Sequence, residues 1–361
     1  MVYVVRLLVL GNGAAGAEKQ ALALGARLRE KLLEKSVSYR SNVSCSPVEC
    51  VRVTLGRSHI IPPVLQVFGA KVSRNPLFGY REQDTSRLFP AQKDARALDV
   101  EHSGALCRDE HPRVPLTWFD AVVVPRHDFP RGEGGVDNLF LTTGTVHDIT
   151  PELLQQHERE WREEFDEKLQ GRQTRVVWLL GGPCRGFSFT DQDAERMVDE
   201  FLLALPDNAD VAVLVTFSRR TPQNVQRIVR RGLAAKFLLP GQLLVWKGTE
   251  SRNPYYALLS TASCVVTTPD SISMTTEAIA SGKPVFTIGV ENCKGKFLRF
   301  HQSLFASKTT APLTADAIET ALLRKHDVSS YASAALEKEI ASIVDDIATD
   351  IRGVLKQLES E

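Results

Sequence analysis

The sequence lacks the features of a secreted, membrane-spanning or nucleic-acid-binding protein. None of its six cysteines stands in a Cys-x-x-Cys pair, which is typical of reduced thiols in a cytosolic compartment rather than of a disulfide framework. No apolar run approaches the ~18 residues that a membrane span requires. Lysine plus arginine equals aspartate plus glutamate at 44 each, so no basic excess predicts nucleic-acid binding.

The length of 361 residues exceeds what one hydrophobic core usually organises, so we predict two domains. The first covers residues 1–148 and begins with an apolar strand over 2–10, a glycine turn and a helix over 18–35. We interpret the strand as buried, and not as a signal segment, because it has no basic leader and Arg6 interrupts it. Residues 55–117 follow no sustained period, so their elements are not assigned from the pattern.

The second predicted domain, residues 149–330, alternates strands and helices. Thr150-Pro151 has the capping hydroxyl and the first-position proline of a helix start. The continuous apolar strands that follow indicate an α/β domain with a parallel sheet covered on both faces, and they lie at 176–180, 211–216, 243–246, 264–267 and 284–288. A last helix within 331–361 has an apolar stripe that predicts packing back toward the N-terminal half. Its other side carries charges such as Glu337, Asp345 and Arg352.

In doubly wound sheets, ligands bind outside the carboxyl ends of the strands, so the residues that follow each strand are the candidate site. Gly181-Gly182 would let the backbone approach a ligand closely, although an ordinary strand-to-helix turn explains the pair equally well. Ser218, Arg219 and Arg220 precede a helix start and suit a phosphate, because a guanidinium is a planar fork of donors. The alternative is a solvated arginine pair.

The segment from Thr267 to Val285 contains the largest group of candidate ligand-binding residues. Its helix start offers free N–H groups and a positive dipole end, which suit a diphosphate. Ser271 and Ser273 lie at this start, and Glu277 shares a helix face with Ser273, where its carboxylate could accept hydrogen bonds from two ribose hydroxyls. The alternative for Glu277 is compensation of the helix dipole.

Other signals predict structure rather than chemistry. Asp191-Gln-Asp193 resembles a metal-binding pattern, but it opens a helix, where capping acids are expected. His301 is interpreted as a structural polar residue in preference to a catalyst. Gly11–Gly16 has the wrong glycine spacing for a dinucleotide fingerprint. We therefore expect no metal and no cofactor, with a nucleoside-diphosphate sugar as the possible ligand.

The motifs occur together in an order that resembles a known family. They include Gly11-Asn-Gly-Ala-Ala-Gly-Ala-Glu-Lys-Gln20, Pro125-Arg-His-Asp128, Ser218-Arg-Arg-Thr-Pro222, Asn253-Pro-Tyr255, Asp270-Ser-Ile-Ser-Met274 and Lys296-Phe-x-x-Phe-His301. The sequence is similar to the mitochondrial-fission family founded on the plant elongated-mitochondria protein, which has bacterial glycosyltransferase-like relatives.

The resemblance implies two Rossmann-like domains facing each other across a cleft (the GT-B glycosyltransferase fold), with a nucleotide sugar held by the C-terminal half, Asn253 included. For the plant branch it also implies a cytosolic protein, partly peripheral on the mitochondrial outer membrane. There it would be an adaptor that promotes recruitment of a dynamin-related fission GTPase. The N-domain loop with Asn12, Gly13 and Glu18 looks like the plant form. Relatives carry a strand and a helix that this sequence lacks between Thr54 and His111, so the resemblance implies an incomplete N-terminal sheet around 55–117; the alternative is an imperfect gene model.

The N-domain loop departs from what catalysis requires. An inverting transferase of this architecture often places its base there, but neither Asn12 nor Ala17 can accept a proton. His127 and Asp128, after the strand at 121–124, are then the candidate catalytic residues, although a turn capped by Asp128 explains them as well. We favour the adaptor and keep a metal-independent inverting glycosyltransferase, using a nucleoside-diphosphate sugar, as the alternative.

Overall fold

The computed structural model describes most of the C-terminal two thirds of the chain and separate segments of the rest. The described residues are 6–11, 15–34, 49–57, 68, 71–73, 80–82, 107–108, 116, 121–129, 136–208, 210–246, 252–323 and 327–360. By its internal contacts the chain divides into two units: Met1–Asp148 with Lys338–Glu361, and Ile149–Glu337.

The described residues of the first unit include one long N-terminal helix and two small sheets. Its elements are β1 (Arg6–Gly11), α1 (Ala15–Glu34), β2 (Glu49–Arg57), β3 (Tyr80–Glu82), β4 (Cys107–Arg108), β5 (Ala121–Pro125) and β6 (Leu139–Thr142). β1 pairs in parallel with β2, and β3 adds to β2 in the antiparallel direction. The parallel strands β4, β5 and β6 form the second sheet. Most of the region 55–117, for which we predict an incomplete sheet, lies outside the described residues.

The second unit alternates strands and helices in chain order. Its elements are α2 (Pro151–Leu169), β7 (Thr174–Leu180), α3 (Asp191–Ala204), β8 (Val211–Phe217), α4 (Gln223–Lys236), β9 (Leu243–Trp246), α5 (Tyr255–Thr261), β10 (Cys264–Thr267), α6 (Ile272–Ala280), β11 (Val285–Thr287), α7 (Lys296–Ala306), β12 (Ala311–Pro312), α8 (Ala315–Leu323) and the first part of α9 (Asp327–Ser360). The strands form one parallel sheet in the order β12-β11-β10-β7-β8-β9. The predicted α/β class is confirmed, and each predicted strand of this half is present.

The centre of this sheet is apolar on both faces, which explains why β7 and β8 are continuous hydrophobic runs. Every residue of β8 is buried. On one face Trp178 stacks on Phe201 of α3, with ring centroids 4.3 Å apart. On the other face Trp161 and Phe165 of α2 pack against Trp246. Among the described residues, no helix combines the length and apolar character needed to cross a membrane.

The capping chemistry at the start of α2 is as the sequence predicts. The Thr150 hydroxyl accepts a hydrogen bond from the Leu153 N–H at 3.1 Å, and Pro151 occupies the first helical position. The helix ends at Leu169, where Gln170 adopts a left-handed conformation with φ of 51°. These local signals fix where the second unit begins.

The C-terminal helix α9 contacts α1 within the first unit. Its predicted stripe is buried at Leu336, Ile340, Ile343 and Ile347. Two charges that we predicted for its outer side also contact α1. Asp345 pairs with Lys31 Nζ at 3.1 Å, and Arg352 donates to the Lys31 carbonyl at 2.6 Å. The Asp345 side chain stays 43% exposed while it makes this contact.

Glu339 of α9 joins the loops that follow β5 and β6. Its Oε1 accepts a hydrogen bond from Arg126 Nη2 at 2.7 Å, and its Oε2 accepts one from the Thr143 N–H at 2.7 Å. One carboxylate thereby ties the last helix to the carboxyl ends of two parallel strands. Hydrogen bonds to a charged group are stronger than neutral ones.

We expect Glu339→Gln to lower the stability of the first unit by about 1–2 kcal/mol, because one amide cannot accept at both positions. Differential scanning calorimetry should show this as a fall of roughly 2–4 °C in transition temperature. Asp346→Asn, on the exposed side of the same helix, is the matched control and should change little. Equal shifts in the two variants would contradict the role of Glu339.

Candidate functional site

The carboxyl ends of β7, β8 and β10 bring three polar loops of the second unit together. The first loop begins with Gly181 and Gly182, the second contains residues 218–222, and the third contains residues 268–271. The order β10-β7-β8 puts the glycine loop between the other two. This edge is where ligands bind in open parallel sheets, so it is the candidate site.

Asp270 is the centre of this site, and its carboxylate is fully buried. Oδ2 accepts hydrogen bonds from the Gly182 N–H at 2.9 Å and from Arg220 Nη2 at 2.7 Å. Oδ1 accepts the Thr268 hydroxyl at 2.7 Å. A buried carboxylate is tolerated only when it is paired and hydrogen-bonded, and these three donors meet that condition. We call Asp270, Arg220, Gly182 and Thr268 the Asp270 clamp.

The two glycines make room for the clamp. A Cβ atom on Gly181 would lie 2.1 Å from the Asp270 carboxylate oxygens, and one on Gly182 would lie 2.2 Å from the Arg220 carbonyl oxygen. The Gly181 N–H also donates to Thr268 Oγ1 at 2.7 Å. Glycine is therefore required at these two positions because Asp270 and Arg220 of the same chain approach the backbone closely.

Hydroxyl groups attach the loop after β8 to the end of β7. Thr221 Oγ1 lies 2.6 Å from the Gly181 carbonyl oxygen and 3.1 Å from that of Leu180. Ser218 Oγ accepts the Arg220 N–H at 3.2 Å. Both adjacent arginines reach solvent, but Arg220 also pairs with the buried Asp270 carboxylate as part of the clamp. The structure thus assigns different environments to residues that the sequence offers as an equivalent pair.

Helix α6 begins at the same edge of the sheet. The hydroxyl of its N-cap Ser271 accepts the Met274 N–H at 3.3 Å and lies 3.4 Å from the Ser273 hydroxyl. Glu277, one turn further, is buried and accepts a hydrogen bond from the Tyr255 hydroxyl at 2.6 Å. The helix start has the positive dipole end that suits an anion. The Glu277 carboxylate contacts a tyrosine of α5.

His301 binds the backbone of the loop that carries Thr268 and Asp270. Its Nε2 lies 3.0 Å from the Pro269 carbonyl oxygen, and because that oxygen can only accept, Nε2 carries the proton and donates. Burial lowers the pKa of His301 from 6.5 to about 4, although this hydrogen bond opposes the shift. The ring is therefore neutral at pH 7. This agrees with the interpretation of His301 as a structural residue.

The Asp191-Gln-Asp193 segment, which resembles a metal-binding pattern, takes part in a helix cap through Asp193. Thr190 Oγ1 accepts the Asp193 N–H at 3.2 Å, and the Asp193 carboxylate accepts the Thr190 N–H at 2.8 Å, which completes a capping box at the start of α3. The predicted capping role is confirmed. Within the described part of the chain, no group of three or more His, Cys, Asp or Glu side chains is arranged to hold a metal.

Comparison with known sequences identifies the family. The sequence profile described as Mitochondrial fission ELM1 matches residues 99–346, which is more than half of the chain. The chain belongs to the mitochondrial fission ELM1 family. It is 31% identical over 215 residues to the mitochondrial fission protein ELM1 of Arabidopsis thaliana, across 54% of this chain and 48% of that protein.

A bacterial protein is also similar to this member of the ELM1 family. It is an uncharacterized protein of Rickettsia prowazekii (strain Madrid E), 34% identical over 108 residues, which are 30% of this chain and 29% of that protein. The chain thus spans about half or less of the length of these two relatives. The resemblance that the motifs indicate is confirmed.

Two solved structures that are similar to this chain contain a uridine nucleotide. UGT89C1 of Arabidopsis thaliana, complexed with UDP, is 11% identical with a TM-score of 0.48, over 96% of this chain and 99% of that chain. The UDP-GlcNAc 2-epimerase of Neisseria meningitidis, bound to UDP-GlcNAc, is 12% identical with a TM-score of 0.44, over 99% of this chain and 100% of that chain.

The structure brings part of the predicted site together in this ELM1-family chain. Gly181, Gly182 and Arg220 meet at the clamp, and Ser218 is bound to the Arg220 backbone. Ser271, Ser273 and Glu277 lie on α6 beside it. Asn253 is exposed, and its Oδ1 accepts the Tyr255 N–H at 3.1 Å at the start of α5. Ligand binding by these residues stays a prediction.

The candidate catalytic residues lie in the first unit. His127 and Asp128 form a 3₁₀ turn directly after β5, where His127 is buried and its Nε2 lies 3.9 Å from Asp128 Oδ1. Asn12 and Gly13 lie outside the described residues. Glu18 falls within α1, but its side chain is also outside the described part. The catalytic roles of these residues stay predictions.

Sequence reasoning missed the two acceptor arrangements that organise the site. Asp270 and Tyr255 stand out in the sequence only as members of two motifs. A usable signal existed for Asp270, since an acid three residues after a buried strand faces a glycine pair after the neighbouring strand. That signal requires knowing that β10 lies beside β7, which the sequence order does not reveal.

We expect Arg220→Ala to destabilise the protein by roughly 1–3 kcal/mol, because it removes the cation of the buried Asp270 carboxylate, while the half-exposed position of Arg220 lets solvent offset part of the loss. Arg219→Ala is the matched control, and its effect should stay within about 0.5 kcal/mol because Arg219 is exposed. Urea unfolding followed by tryptophan fluorescence measures both. Equal stability of the two variants would show that the ion pair contributes nothing.

We also expect the folded protein to become less stable as the pH is lowered, because His301 is protonated more readily in the unfolded chain. Its folded-state pKa of about 4 lies below the ordinary 6.5, so the unfolded chain binds a proton more readily, and stability is lost as pH falls from 6.5 toward 4. This loss should reach roughly 3 kcal/mol. In His301→Gln, which keeps a donor near Pro269 but does not titrate, that part of the pH dependence should disappear. A parallel pH profile of the two proteins in urea unfolding would refute the assignment.

Proposed function

We propose that this protein is a peripheral adaptor in mitochondrial fission, built on a glycosyltransferase-like scaffold, that promotes recruitment of a dynamin-related GTPase to the mitochondrial outer surface. The observation that carries the proposal, beside membership of the ELM1 family, is the Asp270 clamp. A carboxylate of the chain itself holds donors that a transferase would offer to the diphosphate of its substrate.

The Asp270 carboxylate would compete with a bound diphosphate for the same hydrogen-bond donors, which argues against diphosphate binding at the clamp. A phosphate at this edge would require the Gly182 N–H and the Arg220 guanidinium, and both already bind Asp270. A ligand that took these donors would leave a fully buried carboxylate without its cation, which is strongly unfavourable. The internal contact therefore favours a scaffold over a phosphate-binding loop.

The remaining candidate groups support the same proposal. The Glu277 carboxylate, which would accept ribose hydroxyls, binds the Tyr255 hydroxyl at 2.6 Å. His127, the candidate base, is buried, whereas a general base must come within hydrogen-bond reach of the hydroxyl that it deprotonates. An adaptor needs neither an exposed base nor a free ribose acceptor.

One observation favours the alternative, an inverting glycosyltransferase that uses a nucleoside-diphosphate sugar. The N-terminus of α6 lies at the carboxyl edge of a parallel sheet, with the Ser271 and Ser273 hydroxyls at its first turn and Glu277 one turn behind. This spacing suits a diphosphate at the helix start and a ribose beside Glu277. A carboxylate can accept several hydrogen bonds, so the bond from the Tyr255 hydroxyl to Glu277 Oε2 does not by itself exclude a ribose.

Expression in Arabidopsis cells that lack the mitochondrial fission protein ELM1 tests the adaptor. We expect the wild-type chain to shorten the mitochondria and to restore mitochondrial foci of the dynamin-related GTPase. Glu277→Gln should rescue equally well, because an adaptor does not need the ribose-binding charge. Glu319→Gln, on the exposed side of α8, is the matched control. Mitochondrial length and GTPase foci are scored by fluorescence microscopy.

Each outcome of this experiment decides between the two functions. Failure of a folded wild-type chain to restore the foci would reject the adaptor. Loss of rescue in Glu277→Gln alone, with an unchanged melting temperature, would favour the nucleotide-dependent function. Calorimetry with UDP and GDP supplies the second readout. Under the alternative function the wild type binds nucleotide, and Glu277→Gln should weaken that binding roughly 30-fold through loss of a charge-assisted bond of about 2 kcal/mol.

A further inference from the structure

Helices α3 and α4 lie side by side on one face of the sheet and carry opposite charges. Both pack on the same hydrophobic core, α3 through residues such as Phe201 and α4 through residues such as Val229. Helix α3 has five acidic residues and one arginine, whereas α4 has three arginines, one lysine and no acidic residue. The net charges of the two helices are therefore −4 and +4.

Contacts between the two helices fix their direction and their relative height. Asn224 at the start of α4 donates to Asp191 at the start of α3. Further along, a Cβ atom on Gly232 would lie 2.5 Å from Val198 Cγ1. The two helices therefore run in the same direction, with Val198 and Gly232 at about the same height.

The exposed charges of the two helices alternate in height. On α3 they form an acidic stripe of residues four apart, which are Asp191, Glu195 and Asp199. On α4 the exposed arginines are Arg227 and Arg231. With a rise of about 1.5 Å per residue, Arg227 lies at a height between those of Asp191 and Glu195. Arg231 lies between Glu195 and Asp199 in the same way, so each arginine is level with a gap between two acids.

These charges are only partly paired within the chain. Glu195 Oε1 lies 3.9 Å from Arg231 Nη2, and both side chains are exposed, so this pair contributes little. In the described part of the chain, neither Arg227 nor Asp199 has an ion-pair partner. The neighbouring acid Glu200 pairs with an arginine of its own helix at 2.9 Å. Both stripes thus keep most of their capacity to pair with another molecule.

Both helices end at a group of three exposed leucines, which are Leu203, Leu238 and Leu239. The acids at this end, Asp207 and Asp210, follow α3, and the cation, Lys236, ends α4. Lys236 pairs with Asp207 at 3.4 Å, so this end has no excess of positive charge. We call the two charged stripes and the three leucines together the α3–α4 face.

We propose that the α3–α4 face binds the same face of a second copy of this chain, in a dimer whose twofold axis is parallel to the two helices. Rotation about this axis places α3 of one copy on α4 of the other and leaves the height of every residue unchanged. Each arginine stripe then meets an acidic stripe, and the leucines of both copies meet at one end. A twofold axis across the helices would instead place α3 on α3, where two net charges of −4 oppose each other.

The composition and size of the face favour a second copy over other occupants. The charges of the two helices cancel, so the face does not select an anionic or a cationic surface. A different protein would have to offer both stripes at the same spacing, which a second copy provides by symmetry. Two helices of 14 residues form a face of roughly 21 Å by 20 Å. This area predicts a weak, reversible dimer. The inference goes beyond the proposed function and does not depend on it.

Sedimentation velocity of the full chain over a range of concentrations tests the dimer. We expect a reversible equilibrium between monomer and dimer with a dissociation constant on the order of 10 μM, as the small face implies. Added salt should weaken the dimer, because exposed charges are screened, but should not abolish it, because the leucine contact is not screened. A wild-type chain that stays monomeric at about 100 μM would reject the inference.

Reversing the charge of one stripe at a time tests which helices meet. Arg227→Glu with Arg231→Glu makes both stripes acidic, and Glu195→Lys with Asp199→Lys makes both predominantly basic. Each of these variants alone should raise the dissociation constant about tenfold or more, because like charges then oppose each other. An equimolar mixture of the two should form a heterodimer, since opposite charges meet again at both contacts. A chain with all four changes should dimerise like the wild type for the same reason.

Matched controls separate this face from general surface effects. Glu163→Lys with Glu167→Lys makes the same charge change at two exposed positions four apart on α2, which packs on the other face of the sheet, and should leave the dimer unchanged. Leu238→Ser with Leu239→Ser should weaken the dimer, whereas Leu323→Ser on α8 should not. Melting temperatures of all variants should stay close to that of the wild type, because the substituted side chains are exposed.

The remaining results overturn the inference, and they do so independently of the proposed function. If the mixture and the chain with all four changes stay monomeric, α3 does not meet α4 of a second copy. If the α2 control loses as much affinity as the stripe variants, the loss reflects net charge and not this face. None of these measurements involves mitochondria or a nucleotide. A monomeric chain that restores fission would therefore leave the adaptor standing, and a dimeric chain that restores none would reject the adaptor alone.

Discussion

The buried carboxylate of Asp270 is the interaction on which the rest of the second unit depends. It receives hydrogen bonds from Gly182 after β7, Arg220 after β8 and Thr268 after β10, so one side chain connects the ends of three adjacent strands. A buried charge without partners would cost several kcal/mol, and the three loops must therefore keep these positions together. The lack of side chains on Gly181 and Gly182 follows from the same requirement.

This arrangement has a consequence for how the sheet edge can be used. In open parallel sheets the carboxyl edge binds ligands because loop N–H groups and helix starts are left without partners. Here several of those groups are satisfied within the chain: Asp270 takes two of the donors and Ser271 caps α6. The scaffold can thus be kept by selection for stability alone. A fold typical of nucleotide binding does not by itself imply a nucleotide.

The sequence predicted the elements of the second unit well, because the physics that forms them is local. Buried strands such as 176–180 are recognisable as continuous apolar runs, and Thr150-Pro151 contains the donor and acceptor chemistry of a helix start. The clamp could not be predicted in the same way. Gly182 and Asp270 lie far apart in the chain, and they meet only because β10 pairs with β7 rather than with β9. Neither segment alone indicates that pairing. For the same reason the sequence does not show which of Arg219 and Arg220 reaches Asp270.

The two ends of the parallel sheet differ in which side chains they leave exposed. At the carboxyl ends of the strands, polar groups bind one another and little is offered to a partner. At the other end, Leu203, Leu238 and Leu239 remain in solvent, although folding could have buried apolar side chains of this size. Side chains kept exposed on a rigid support are more informative about partners than polar groups that already have them. An adaptor of the proposed kind would bind its partner through side chains that the fold leaves exposed, and not through the polar groups that the clamp already joins.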